Sequence, residues 1–407
     1  MRILLLSQYY YPEALFKGLI YARELVRQGH EVEVLTGFPN YPGGKLYSGF
    51  KVRFLQRDEY DGIPVVRVPL YPSHDATARG RILNYMSFAI SAALIGPWVV
   101  KRPDVIYAYH GHATIGLPAW AIGLTRRAPY VLDIQDLWPD TIEASGMLPP
   151  RYKGLLKVLN SWCNFIYRHA TRIAVLSKGF KTTLAARGVP AEKIEVIPNW
   201  CDPVMLEPSE LPAAEEELLA GRFNIVMAGN MGVMQGLDVV LDAAVKLAEV
   251  APKVQFVLVG GGVERPKLEA RAAELGLTNV LFLPRRPLTE IGALLRRADV
   301  LLLHLKDDPL FAITIPSRIQ AYLAIGRPIL CGVRGDASDM VKETEAGFCF
   351  EPDDPGSLCE AVLKIHELPE EEQKAMGERG RVFYRDRLSL PVGTKAFIDL
   401  FEQMRKS

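Results

Sequence analysis

Phe223-Asn224-Ile225-Val226-Met227-Ala228 runs straight into Gly229-Asn230-Met231-Gly232-Val233-Met234-Gln235-Gly236, and a helical pattern starts at Leu237. A short apolar run without alternation reads as a strand buried on both faces, as in a parallel sheet. The glycines at its end read as the tight turn into a helix. Toward the C terminus the pattern repeats. Helices are expected over 237–250, 264–275, 288–297 and 317–325, and strands over 255–259, 280–283, 300–303 and 328–331. Toward the N terminus it appears again. Strands are expected over 2–7, 31–36, 104–108, 130–133, 172–177 and 194–197, and helices over 16–28, 115–124 and 179–187, with Gly29 as the residue that ends the first helix. Alternating β and α in both halves predicts an α/β protein of two doubly wound parallel sheets.

The 407 residues suit two domains. The first is read over 1–200. A linker is read over 201–222, where prolines and Glu215-Glu216-Glu217 cluster. The second domain is read over 223–380, and 381–407 as a C-terminal helix able to cross back to the first domain. Hydrophobic residues at 49% and charged residues at 23% exclude disordered and fibrous classes. The 48 basic and 47 acidic residues nearly cancel, which argues against nucleic acid as a partner. The charge is nonetheless uneven. Residues 1–200 hold 24 Lys and Arg against 15 Asp and Glu; residues 201–407 hold 24 against 32. An anionic partner therefore favours the first half. Five scattered cysteines fit a reducing cytosol and give no Cys-built zinc site. The apolar run at 2–7 is too short for a secretory signal. Residues 85–100 are nearly uncharged but fall short of a bilayer span, and Gly96-Pro97 interrupts them. They read as a buried or interface-packed helix, with shallow insertion into one leaflet as the alternative.

Neither half carries GxGxxG after its first strand, which disfavours hydride transfer. Gly229, Asn230, Gly232 and Gln235 still stand where a strand meets a helix, the place where amides and the helix dipole attract an anion. A plain tight turn is the alternative. Gly260-Gly261-Gly262 ends another strand of the same sheet, so Gly261 lets a ligand approach the backbone. Thr314-Ile315-Pro316-Ser317-Arg318 opens a helix. Ser317 is suited to cap it, and Arg318 to meet a diphosphate with its fork of donors, unless it merely faces solvent. In the first half, His110 and His112 follow a strand end. Two histidines with no third ligand fit hydrogen-bonding or acid–base work better than a metal site. Asp133-Ile134-Gln135-Asp136-Leu137-Trp138-Pro139-Asp140 ends the next strand. Asp136 and Asp140 are placed to orient a sugar hydroxyl or to cap the next helix, and Trp138 to stack on a sugar or fill an interface.

Taken together, the ordered motifs QYYYPE (8–13), GHEVEV (29–34), TGFPNYPGG (36–44), DIQDLWPD (133–140), VIPNWCD (196–202), GNMGVMQG (229–236) and IPSRIQAYLAIG (315–326) resemble the retaining GT-B glycosyltransferases of family 4, in the branch of polysaccharide and O-antigen assembly. The resemblance implies two Rossmann-like domains facing across a cleft. The second would bind a nucleotide-sugar donor, most often a UDP-sugar, and the first the acceptor. It implies transfer with retention, no essential metal and no cofactor. By position, Gly229, Asn230, Gly232, Gln235 and Arg318 would face the diphosphate, Leu283 and Arg285 would lie near the base, and Gly261, Thr314 and Ser317 are further candidates for the nucleotide-sugar. His110 or His112 would lie near the transferring sugar together with Asp136. Glu13, Trp138 and Asp140 would lie on the acceptor side.

The chain also departs from the family pattern. The two glutamates common in the family, eight positions apart, fall on Ile313 and Ala321, leaving Gln320 as the candidate for a ribose hydroxyl. The common Arg and Lys of the first loop fall on Asn230 and Gln235. The N-terminal loop, often glycine-rich, reads Ala14-Leu15-Phe16-Lys17-Gly18, with Lys17 as a candidate charge for the donor. The acceptor is expected to be a saccharide or a polyprenyl-diphosphate-linked sugar. Arg151–Lys157, with Trp162, Phe165 and Tyr167, reads either as an anionic-membrane docking segment or as an ordinary amphipathic helix. The expected location is the cytoplasm, with the inner face of the cytoplasmic membrane as a docking surface. A GT-B-fold UDP-sugar epimerase and a non-catalytic nucleotide-sugar-binding protein are the alternatives.

Overall fold

The computed structural model describes residues 1–13, 15, 17–73, 78–144 and 153–406. The chain divides into two compact units. One comprises Met1–Pro198 with Gly393–Ser407, the other Asn199–Val392.

The first unit holds strands β1 (Arg2–Leu6), β2 (Glu31–Thr36), β3 (Gln56–Tyr60), β4 (Ile63–Arg67), β5 (Val105–His110), β6 (Tyr130–Ile134), β7 (Arg172–Val175) and β8 (Ile194–Val196). They lie in the order β3-β4-β2-β1-β5-β6-β7-β8. Every pairing is parallel except β3 with β4. That hairpin was not expected. Its outer strand, Gln-Arg-Asp-Glu-Tyr, is a polar edge with no apolar run to announce it. It turns at Asp61 and Gly62, both at positive φ, as a two-residue hairpin loop requires.

The second unit holds β9 (Phe223–Ala228), β10 (Val254–Val259), β11 (Val280–Leu283), β12 (Val300–His304), β13 (Ile329–Gly332) and β14 (Gly347–Cys349), in the order β11-β10-β9-β12-β13-β14, all parallel. Successive β9 side chains serve opposite faces of the sheet. Val226 and Ala228 join one core, Ile225 and Met227 the other. This explains why the strand reads as unbroken hydrophobicity. The α/β, doubly wound, Rossmann-like reading is what the structure shows.

The expected linker at 201–222 is instead part of the second unit. Cys201 and Leu219 lie in its core, and the segment forms the turn Pro203–Leu206 and the helix Ala213–Leu219. Pro203 and Pro212 stand at helix starts. Asp202 Oδ1 accepts the Val204 N–H at 3.0 Å, with Pro203 in the first turn. The expected helix from 381 is really two. A helix over Glu370–Phe383 passes into a π-turn at Tyr384–Leu388, and Leu390–Lys406 follows.

In a doubly wound sheet, ligands bind at the carboxyl ends of the strands where the winding reverses. In the first unit that point lies between β1 and β5, so the loops after Leu6 and His110 form its crevice. In the second it lies between β9 and β12, where the Gly229 turn and the loop leading to Arg318 emerge.

Candidate active site

In the second unit the two glycine turns interlock. Gly229 N–H donates to the Val259 carbonyl at 2.8 Å, Met231 N–H to Gly261 at 2.8 Å, and Glu264 N–H to Met231 at 3.0 Å. Gly229, Gly260 and Gly262 all adopt φ near +140 to +150°, which other residues rarely tolerate. A Cβ on Gly260 would stand 1.9 Å from the Gly229 carbonyl oxygen, and one on Gly262 would stand 2.2 Å from that of Met231. Among the described residues the N–H groups of Asn230, Gly261 and Gly262 find no acceptor. Arg318, half-buried, lays its guanidinium against this turn. Its Nε is 3.2 Å from where a Gly229 Cβ would stand, and its Nη1 is 3.3 Å from Met227 Sδ. Amide donors and a guanidinium thus meet at one strand tip, as an anionic diphosphate requires.

Several neighbours have other duties than expected. Gln235 Oε1 accepts the Gly232 N–H at 2.9 Å, so it fastens the turn from within. Ser317 is the first helical residue; Pro316 holds the cap position and the Ser317 side chain caps nothing. Gln320 is buried, and its amide, oriented to donate, reaches the Ser317 and Pro316 carbonyls at 2.9 and 3.1 Å. It is therefore turned toward its own helix start and not toward a ribose. Thr314 Oγ1 donates to Leu310 at 2.7 Å. Leu283 is buried and offers its carbonyl to Gly260 N–H and to Arg265, while Arg285 is exposed.

Sequence reading missed His304 at the end of β12. Its Nδ1 donates to the Gln235 carbonyl at 2.7 Å, and its Nε2 accepts the Asp353 N–H at 3.0 Å. One donating and one accepting nitrogen define a neutral ring, in keeping with burial that lowers its pKa. It ties the glycine turn to the loop after β14. A histidine closing an apolar strand was the available signal.

In the first unit the predicted residues separate. His110 is fully buried, and neither ring nitrogen has a hydrogen-bond partner. Burial lowers its pKa to about 4. His112 stacks on Tyr85 (centroids 4.2 Å, 10°) and meets Tyr9 edge-on at 6.5 Å. Its Nδ1 lies 2.7 Å from Thr114 Oγ1. Burial, then the neighbouring His110, lower its pKa to about 3, so it is neutral at physiological pH. Asp136 reaches solvent, yet enough protein surrounds it to push its carboxyl up to about 6.

Four expected contacts are corrected. Lys17 is not available to a donor. Its ammonium is buried 2.7 Å from Asp133 Oδ2 and 4.9 Å from the Phe397 ring, and the Tyr107 hydroxyl donates to the same carboxylate oxygen. Glu13 binds loop backbone: Oε1 accepts from Asn40 and Tyr41 N–H, both at 2.7 Å, and Oε2 from Tyr10 N–H at 3.2 Å. Burial still pushes it up to about 7. Asp140 pairs with Arg187 at 2.6 Å, and Trp138 Nε1 donates to the Gly111 carbonyl at 3.3 Å, so both brace the loops after β5 and β6.

Asn84, buried in the helix Ala78–Val99, was also missed. It accepts from Gln8 Nε2 at 2.5 Å and donates to Asn40 Oδ1 at 3.2 Å and to the Tyr71 carbonyl at 2.7 Å. One asparagine inside an apolar helix was its signal, since a buried amide needs partners. In the other segment read as a membrane contact, Arg151 and Tyr152 lie outside the described residues. Tyr167 is buried and Trp162 Nε1 donates to the Ala113 carbonyl at 3.0 Å, so these aromatics pack inward.

Comparison with known proteins gives the same division. Residues 20–200 match the family model of a glycosyl transferase 4-like domain, and residues 213–383 that of glycosyl transferases group 1. The chain is 27% identical over 387 residues to the putative colanic acid biosynthesis glycosyl transferase WcaI of Escherichia coli K12, covering 91% of this chain and 93% of that protein. Its fold resembles the Anabaena Alr3699/HepE structure in complex with UDP-glucose (TM-score 0.68, 17% identity, 99% and 100% of the two chains). It also resembles sucrose-phosphate synthase from Thermosynechococcus elongatus (TM-score 0.69, 16% identity, 99% and 98%). With a glycosyl transferase 4-like domain in the first half and a group 1 domain in the second, the chain belongs to the GT-B glycosyltransferases.

Proposed function

We propose that this glycosyltransferase moves a hexosyl or N-acetylaminosugar residue, with retention and without a metal ion, from a UDP-sugar to a lipid-linked or saccharide acceptor in cell-surface polysaccharide assembly. The observation that carries the reading is the Arg318 guanidinium lying against the Gly229 turn, beside amides that have no acceptor among the described residues. The UDP-glucose bound by the Anabaena neighbour supports the choice of nucleotide, and the colanic acid assignment of the E. coli relative supports the pathway.

Transfer breaks the bond between the anomeric carbon and the diphosphate, leaving an oxocarbenium-like sugar and a leaving group of growing negative charge. Donors fixed in place before the reaction stabilise that charge without reorganising. Arg318 and the Asn230, Gly261 and Gly262 amides take this role. Retention follows if the acceptor attacks on the face the diphosphate leaves, its proton passing to the departing phosphate oxygen. His112 serves as a neutral hydrogen-bonding group for the sugar, positioned by Tyr85 and Thr114; buried His110 supports the strand end behind it.

A thermal-shift panel of UDP-, GDP- and TDP-sugars tests the reading, because a ligand that binds only the folded state raises the melting temperature. UDP-sugars should give the largest shift. Arg318→Ala should abolish that shift and lower transfer by roughly 10²–10³-fold, the scale of losing one such donor, with the unliganded melting temperature unchanged. No shift with any nucleotide sugar, or a fully active Arg318→Ala, would overturn it.

A further inference from the structure

The helix Ala78–Val99 has two unlike faces. On one, Phe88, Ala89, Ala92 and Asn84 are buried. Gly96 lets the helix approach Leu35 and Ile122 so closely that a Cβ would stand 2.8 and 3.0 Å from them. On the other, Ile82, Met86, Ile90, Leu94 and Trp98 recur every four residues, and all are exposed, Leu94 at 68% and Trp98 at 83%. Four-residue spacing makes each the surface neighbour of the next, in a stripe that winds about 160° around the helix between Ile82 and Trp98 and stays opposite the buried face. At 1.5 Å per residue the stripe runs about 24 Å. An apolar strip of that length open to water on a folded unit marks an interaction surface.

Charge identifies the partner. The helix contains no acidic residue. Arg79 is exposed at its start; at its end Arg102 and Arg57 are exposed, Arg57 donating to the Val99 carbonyl at 2.8 Å, while Lys101 is paired with Glu31 at 3.3 Å. Both ends of the stripe are therefore cationic. A second copy laid on the stripe, parallel or antiparallel, would bring cations against cations. Anionic headgroups would neutralise both ends while acyl chains covered the middle. A bilayer span does not fit, because the inner face is committed to the unit's core and to the Asn84 network.

We propose that the outer face of this helix seats the enzyme in the plane of an anionic membrane, with Leu94 and Trp98 inserted at the headgroup boundary. The same helix builds the site from its inner face. Asn84 holds the loop after β1, and Tyr85 stacks on His112. Docking would thus bring the bilayer beside His112, the group assigned above to the transferring sugar. The proposal deepens the lipid-linked acceptor reading and rests on it for its purpose. Its deciding readout, vesicle binding, uses neither donor nor acceptor, so the two fail separately.

Full-length protein is floated with vesicles of phosphatidylglycerol and phosphatidylcholine, and with phosphatidylcholine alone. The wild type should bind the anionic vesicles at low salt at least tenfold better than the neutral ones. The double variant Leu94→Glu/Trp98→Glu should lose binding at least tenfold, while keeping its melting temperature and UDP-sugar shift. Val250→Ser, at an exposed apolar site of the second unit, should bind as wild type. Tryptophan emission should shift to the blue on binding, less so in Trp98→Phe. Failure of the wild type to float, equal binding by the double variant or by neutral vesicles, or a dimer in solution that the double variant dissolves, would overturn the proposal.

Discussion

Lys17 shows how a side chain's surroundings decide its role. In the sequence it is a lone cation on a loop, suited to a phosphate. In the structure it neutralises Asp133 deep inside the first unit. Burial lowers its pKa, and the Asp133 charge opposes that shift. Removing one partner of such a pair strands the other charge, at about 3–5 kcal/mol. Lys17→Met should therefore destabilise the first unit on that scale in urea unfolding, and adding Asp133→Leu should recover much of the loss. If Lys17→Met instead leaves stability untouched and removes only the UDP-sugar shift, its role lies with the donor after all. Arg318 is the contrasting case. Its place at a helix start made it a candidate for a diphosphate with a solvent-facing role as the alternative, and the structure lays it against the Gly229 turn.

At the scale of elements, the glycine run 260–262 divides its labour. Gly260 and Gly262 lie against the neighbouring turn, whereas a Cβ on Gly261 would meet nothing within 4 Å. Gly260→Ala should force the two turns apart, weakening the UDP-sugar shift at least tenfold in apparent affinity and lowering the melting temperature. Gly261→Ala should leave the melting temperature within about a degree. Any donor loss in that variant would then report a ligand touching Gly261 itself. Equal tolerance of both substitutions would contradict the interlocked turns. The sequence shows three glycines in a row; only the partner turn shows which two are obligatory. The β3–β4 hairpin makes a similar point. Its Asp-Gly turn was legible, but an edge strand facing water carries no apolar period.

For the molecule as a whole, titratable groups of the first unit shifted in opposite senses oppose each other in the pH response. His110 and His112, held near 4 and 3 against a usual 6.5, favour the folded state above about 6.5, and that contribution is lost as pH falls through those values. Glu13 and Asp136, raised to about 7 and about 6 from 4.5 and 3.8, contribute fully below about 4, and their part is lost as pH rises through 6–7. The two pairs offset each other between about 4.5 and 6.5, so the melting temperature should vary little there. His110→Gln/His112→Gln should tilt the profile so that stability falls with rising pH, and Glu13→Gln should tilt it the other way. Melting curves across that range read both tilts; profiles parallel to wild type would show that these groups titrate normally.

Local chain chemistry was enough for two parallel α/β sheets and the glycine turn, and it offered Arg318 as a candidate; that the guanidinium lies against that turn came from the fold. Strands buried on both faces, and glycines at their tips, are demanded by local physics wherever the chain folds. The tertiary structure alone decided that Lys17 and Glu13 are spent inside the first unit and that Gln320 turns back on its own helix. It also decided that 201–222 joins a core, and that the apolar helix keeps one face in water. Apart from Gln320, whose partners lie one helical turn away, each of these depends on which distant groups arrive to satisfy a charge, an amide or an apolar surface, and those partners lie far apart along the chain.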